Sequence, residues 1–127
     1  LAGVGGMNHF LLPEGSGAGT DAGRRYGAYA MELLINAMMA LGAQRHSLKA
    51  RLFGGAMMRD GFRDIGSANA QFARRFLADE RIALVGEDVG GTQARRVEFR
   101  AVRQCVPVVD DEALPLKGQQ SLAAQIL

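Results

Sequence analysis

Stretches with strand character alternate along this chain with stretches of helical period, and that alternation restricts the fold more than any other feature. Val4 to Leu12 is mostly apolar and is closed by Pro13, which has no N–H to give a sheet ladder, so it predicts a buried strand. From Tyr26 to Leu41 the polar positions Tyr29, Glu32 and Asn36 fall on one helical stripe, and Ala30, Met31, Leu34, Ile35 and Met38 fill the remainder. This spacing predicts a largely buried helix, with Gly42 where helices commonly stop. Leu48 to Phe53 predicts a second strand, closed by Gly54-Gly55. Ala68 to Ala78 predicts a helix packed on one side, since Phe72 and Phe76 lie one turn apart and Arg74 and Arg75 point away from them. Ile82 to Val85 predicts a short strand. In "RRVEFRA" Val97, Phe99 and Ala101 alternate with Arg96, Glu98 and Arg100, which predicts a half-exposed strand pairing with Cys105 to Val109. The glycine-rich "EGSGAGTDAG" reads as a surface loop, and Asp110 to Leu127 as a tail ending in a short helix at Ser121 to Leu127. The fold class is mixed α/β.

With 127 residues, 48% of them hydrophobic, the chain supports one core and one domain over residues 1–127. Its longest apolar run, "MELLINAMMALGA", is broken by Glu32 and Asn36 well short of the roughly 18 residues a membrane span requires, so no membrane insertion is expected. No basic flank followed by an apolar stretch marks a secretory signal. The single cysteine, Cys105, rules out an intramolecular disulfide and is compatible with a cytoplasmic setting.

The net charge is only +2, yet the cations are thirteen arginines and two lysines, with doublets at Arg24-Arg25, Arg74-Arg75 and Arg95-Arg96. Such doublets read either as a solvated face or as forks that steer toward an acidic partner. A basic rim drawn from Arg24, Arg25, Arg95 and Arg96 is the form the second reading takes. Nucleic acid is not expected as a partner: there is no long basic run, no zinc spacing, and only 6% aromatic residues to stack on bases.

Few residues carry chemistry. No set of carboxylates, histidines and cysteines has the spacing of a metal site, and no cofactor is called for. His46, in "AQRHSLK", has the polar neighbours of an ordinary exposed histidine. His9 interrupts a buried strand just ahead of the glycine-rich loop, and two readings stay open: a satisfied core histidine, or a general base held on a rigid strand. Cys105, inside an apolar stretch, reads as a small buried hydrophobe rather than a nucleophile paired with His9.

The segments "GGMNHFLLPEG", "RRYGAYAMELLINAMMALGA", "LKARLFGGAMM", "IGSANAQFARRFL" and "EDVGGTQARRVEF" resemble, in that order and at similar spacing, those of the CheD family of chemoreceptor glutamine deamidases, from about Gly3 to Val109. The resemblance implies a layered α/β sandwich of mixed sheets with flanking helices. It also implies a cysteine hydrolase that converts selected glutamines of methyl-accepting chemotaxis proteins to glutamate, without a cofactor. The family histidine lies in the H-x-x-L-P segment, which places the catalytic role on His9.

The family nucleophile and a threonine that orients the histidine lie in an L-G-S-C type segment upstream of the histidine strand. The chain begins at Leu1, eight residues before His9, so that segment is expected to precede residue 1. Residues 110–127 lie beyond the resemblance as a divergent tail. A binding module that docks a CheC-type phosphatase or the receptor is the alternative to an active deamidase.

Overall fold

The computed structural model describes residues 3–11, 21–57, 65–99, 104–105 and 122–126, with the side chains at 21–25, 104–105, 122, 123 and 125 left aside. Strand β1 (Val4–Phe10) leads to helix α1 (Asp21–Ala40), strand β2 (Lys49–Gly54), helix α2 (Ile65–Asp79), strand β3 (Ala83–Val89), strand β4 (Gln104–Cys105) and strand β5 (Leu122–Ile126). The strands form one sheet in the order β3-β2-β5-β1-β4. β2 pairs parallel with β3, and β1 parallel with β4, while β5 lies antiparallel between β1 and β2. The result is a mixed α/β fold.

Strand alternation fixes which side of the sheet the helices cover. Asn8 donates from Nδ2 to the Ala30 carbonyl of α1 at 3.0 Å, and Phe10 meets Phe72 of α2 edge-on with ring centroids 5.6 Å apart. Even-numbered residues of β1 therefore face both helices, and odd-numbered ones face the other way. The register carries this parity across the sheet: Asn8 aligns with Ala124 and Leu52, and Gly6 with Ile126 and Ala50. Ala50, Leu52, Ala124 and Ile126 are accordingly all buried, against Met31, Leu34, Ile35 and Met38 of α1 and Ala73, Phe76 and Leu77 of α2.

Both helices end in the same hydrogen-bonded device. After α1, Ala43 N–H reaches the Met38 carbonyl and Gly42 N–H the Met39 carbonyl, with Gly42 at φ 97°. This is a Schellman termination, in which a left-handed residue lets the chain turn back and satisfy the last carbonyls. After α2 the same pair of bonds runs from Ile82 to Leu77 and from Arg81 to Ala78, but here Arg81 takes the left-handed position at φ 57°.

Glycine permits two close approaches. A Cβ on Gly66, in the first turn of α2, would lie 2.2 Å from the Gly55 carbonyl oxygen, so the helix start rests directly on the turn after β2. A Cβ on Gly27 would meet the Phe72 ring at 2.6 Å, so α1 and α2 cross there.

The structure corrects several expectations. Helix α1 begins at Asp21 rather than Tyr26, and only one face is buried: Tyr29, Glu32 and Asn36 are exposed as expected, but so are Leu33 and Met39. β3 runs from Ala83 to Val89, while Ile82 precedes it as a buried anchor. Residues 95–99 retain alternating exposure but are not a strand, because the chain leaves the sheet at Gly90 and Gly91, both at positive φ. β4 pairs instead with β1. The expected helix at Ser121 to Leu127 is strand β5, the middle of the sheet, since the gap between β1 and β2 supplies ladder partners on both sides. Leu12, Pro13, most of the glycine-rich loop, Arg100, Ala101 and residues 106–121 lie outside the described residues. No helix among the described residues is long and apolar enough to cross a membrane.

Candidate functional site

His9 is the penultimate residue of β1 and the one exposed position in a strand otherwise buried from Val4 to Phe10. Because Asn8 and Phe10 face the helices, the His9 ring stands on the opposite face of the sheet. It is not sealed in the core. The register sets His9 in one transverse row with Ala123, Phe53 and Asp88. Two rows toward the amino end lie Met7, Gln125, Arg51 and Gly86. Arg51 is exposed between buried Ala50 and Leu52 and so belongs to the same face as His9.

Cys105 is held away from His9. β1 and β4 pair with Gly5 opposite Cys105, four residues along β1 from His9. With a rise of about 3.3 Å per residue and about 4.8 Å between strands, the two Cα atoms are roughly 14 Å apart. A base and its nucleophile need to come within about 3 Å, which side chains of these lengths cannot do from such positions. His46 is exposed in a 3-10 turn at Arg45–Ser47, away from the carboxyl ends of the strands.

The arginines divide. Arg24 and Arg25 lie in α1, with side chains outside the described residues, and Arg96 is exposed. Arg95 is committed to the backbone: its Nη1 donates to the carbonyls of Gly90 at 2.7 Å and of Gly54 and Gln93 at 3.4 Å, while Nη2 lies 3.0 Å from Asp88 Oδ1. It does not serve as a free cation of a basic rim. Arg74 grips Glu87 through two bonds of 2.9 and 2.8 Å on the helix-covered face. That hydrogen-bonded fork holds the Glu87 carboxyl below its ordinary range and raises the Arg74 guanidinium. Among the described residues no three His, Cys, Asp or Glu side chains are placed to hold a metal ion.

Two features of this site were missed at the level of sequence. Arg51 could have been found from its place in "KARLF", where it alternates with Ala50 and Leu52. Arg95 could not, because a doublet carries no mark of which arginine turns back onto carbonyl groups.

A model of the family described as "CheD chemotactic sensory transduction" matches residues 11–109. "Probable chemoreceptor glutamine deamidase CheD" of Zymomonas mobilis is 64% identical over 101 residues, covering 78% of this chain and 55% of that protein. The protein of the same description from Caulobacter vibrioides is 53% identical over 115 residues, covering 87% of this chain and 62% of its own length. "Probable chemoreceptor glutamine deamidase CheD 1" of Ruegeria sp. is 51% identical over 125 residues, covering 96% of this chain and 65% of the relative. The chain thus spans 55% to 65% of the length of these relatives. The family match begins two residues after His9. No solved structure matches the chain. The match over residues 11–109, the greater part of the chain, shows that it belongs to the CheD family.

Proposed function

We propose that this chain is the histidine-bearing part of a chemotaxis adaptation enzyme that hydrolyses selected glutamine side chains of methyl-accepting chemoreceptors to glutamate. Membership of the family, together with the names its relatives carry, supports the reaction class. The observation that carries the site is the exposure of His9 at the carboxyl end of β1, on the sheet face away from both helices. An exposed imidazole on an otherwise buried strand has the rigidity and the access that proton transfer to a large substrate demands.

In the proposed reaction a cysteine thiolate, on the segment preceding Leu1 in the full-length protein, attacks the carboxamide carbon of the receptor glutamine. His9 accepts the thiol proton and then delivers a proton to the departing nitrogen, so ammonia leaves and a thioester remains. The imidazole next takes a proton from water, whose oxygen attacks the thioester, and the thiol is released as glutamate forms. Backbone N–H donors of the kind found at strand ends would hold the oxyanion.

The five-stranded sheet with its two helices is one part of the layered sandwich we propose, in a single domain over residues 1–127. The setting is the cytoplasm, where receptor adaptation regions lie, and a CheC-type phosphatase is a further partner. The second reading, a module that docks such a phosphatase without catalysis, is favoured only by the distance of the chain's one cysteine from His9.

Mass spectrometry of a receptor fragment incubated with the full-length protein tests the proposal. Conversion of glutamine to glutamate is expected with wild type and not with His9→Ala, whose circular dichroism should match wild type. Conversion by a folded His9→Ala protein would remove the assigned role, and binding of the phosphatase without conversion by wild type would favour the module.

A further inference from the structure

Four glycines with positive φ close the carboxyl ends of two neighbouring parallel strands: Gly54, the last residue of β2, with Gly55 after it, and Gly90 and Gly91 after β3. The two turns are joined by backbone bonds, from Gly90 N–H to the Gly54 carbonyl at 2.9 Å and from Met57 N–H to the Gly91 carbonyl at 2.8 Å. Arg95 then closes over the junction. Its guanidinium bonds the Gly54 carbonyl of one turn and the Gly90 and Gln93 carbonyls of the other, and Asp88 Oδ1 holds its second terminal nitrogen. The side chain is only 22% exposed, so this cation is withheld from solvent and from partners. A side chain with several fixed donors is suited to gathering carbonyl oxygens from different segments, which lysine, a point charge, does less well.

The place of this buckle relates it to His9. Phe10 aligns through Leu122 with Gly54, and Gly54 with Val89, so β1, β2 and β3 end at a common level. Asp88, which orients Arg95, shares the transverse row of His9, three strands away or roughly 14 Å across the sheet. The carboxyl ends of parallel strands are where open α/β sheets receive ligands.

We propose that Arg95 is a positioning residue for glutamine deamidation, fixing the two glycine turns as one wall that sets the approach of the receptor segment to His9. The proposal rests on the deamidase reading above. Arg95 touches no reacting atom; it acts through the turns. A displaced wall misplaces the carboxamide, and misplacement by about 1 Å can cost on the order of 100-fold in rate.

The test compares Arg95→Gln, Arg95→Lys and a control, Arg74→Gln, in the full-length protein acting on a receptor fragment. The control too loses an ion pair, here a bidentate one with Glu87 on the helix-covered face. Arg95→Gln should lower kcat at least about 10-fold with KM changed much less, Arg95→Lys should fall between it and wild type, and Arg74→Gln should match wild type. Amide hydrogen exchange at Gly90 and Met57 should quicken in Arg95→Gln alone. A kcat for Arg95→Gln equal to that of wild type, or a loss accounted for by the unfolded fraction, overturns the proposal while leaving the deamidase reading intact. A wild-type protein that converts no glutamine removes the deamidase reading and this proposal with it.

Discussion

Asn8 is pinned through its Nδ2 to the Ala30 carbonyl in the middle of α1, and a second contact of 3.7 Å runs to the Met31 sulfur. Its residue is 2% exposed, and its Oδ1 is a buried acceptor without a partner among the described residues. The strand that carries His9 on one face is thereby tied to α1 by the preceding residue on the other.

The bond and the orphaned oxygen act in opposite directions on stability. A neutral hydrogen bond contributes about 1 kcal/mol net, whereas a buried polar atom left unpaired costs about 1–3 kcal/mol. Asn8→Leu, which removes both, is expected to stay within about 1 kcal/mol of wild type. Asn8→Asp should be the most destabilised of the pair at neutral pH, because it sets a carboxylate against a carbonyl oxygen in the core. Urea midpoints decide the order, and an Asn8→Asp protein as stable as Asn8→Leu would show that the side chain is not held where its bond to Ala30 places it.

The approach of Gly66 to Gly55 predicts a second ranking. In Gly66→Ala the new methyl collides with the oxygen and the carbon of the Gly55 carbonyl, at 2.2 and 2.5 Å, and backbone cannot swing aside. A loss of about 2 kcal/mol or more is expected, in the range of overpacked cores. Gly27→Ala meets only the Phe72 ring, which can shift although Phe10 and Phe76 flank it, so its loss should be smaller. Thermal unfolding of both variants checks the order, and equal midpoints would contradict it.

The elements that were legible in the sequence are those whose signal is local. The alternation of Ala50 and Leu52 with Lys49 and Arg51, and the stripe of Tyr29, Glu32 and Asn36, reflect periods that a single strand or helix imposes on its own residues. β5 was illegible because "LAAQI" suits either helix or strand. Its state is decided by β1 and β2, more than seventy residues away in sequence at Ala50 and farther at Phe10. Residues 95–99 misled for the converse reason: alternating exposure survives there, but among the described residues no neighbouring strand completes a ladder. At the site, His9 stood out as a polar residue in an apolar run, while its face of the sheet became known only from Asn8 and Phe10.

The Arg74–Glu87 pair predicts a small acid sensitivity. Hydrogen bonding to Arg74 lowers the Glu87 pKa in the folded state, so the pair's contribution is present above the ordinary glutamate value near 4.3 and is lost as pH falls through the lowered one. The side chains are 43% and 37% exposed, so solvent screening limits the coupling to about 0.5 kcal/mol. A double-mutant cycle with Arg74→Gln and Glu87→Gln should give that coupling at neutral pH and none in strong acid or about 1 M salt. A coupling unchanged by acid would mean that the contact is steric rather than ionic.

If the substrate is the receptor proposed above, whose adaptation regions the family resemblance implies are coiled coils rich in glutamate and glutamine, a cation near His9 would meet carboxylates beside the target. Arg51 occupies that position: it is exposed, on the His9 face, two strands across and two residues toward the amino end, or roughly 12 Å away between Cα atoms. Its fork, without an ion-pair partner among the described residues, can grip a carboxylate without titrating, whereas the fork of Arg95 is already occupied by carbonyl groups and Asp88. Arg51→Gln is therefore expected to raise KM for a receptor fragment several-fold with kcat little changed, and to flatten the decline of kcat/KM with added salt, since exposed charges are screened over about 8 Å at about 0.15 M. Arg45→Gln, which breaks a contact with Glu80 remote from His9, is the control and should retain the wild-type salt profile. If Arg51→Gln keeps both the KM and the salt slope of wild type, recognition of the receptor does not pass through this cation, and shape and apolar contact around Phe53 on the same face must carry it.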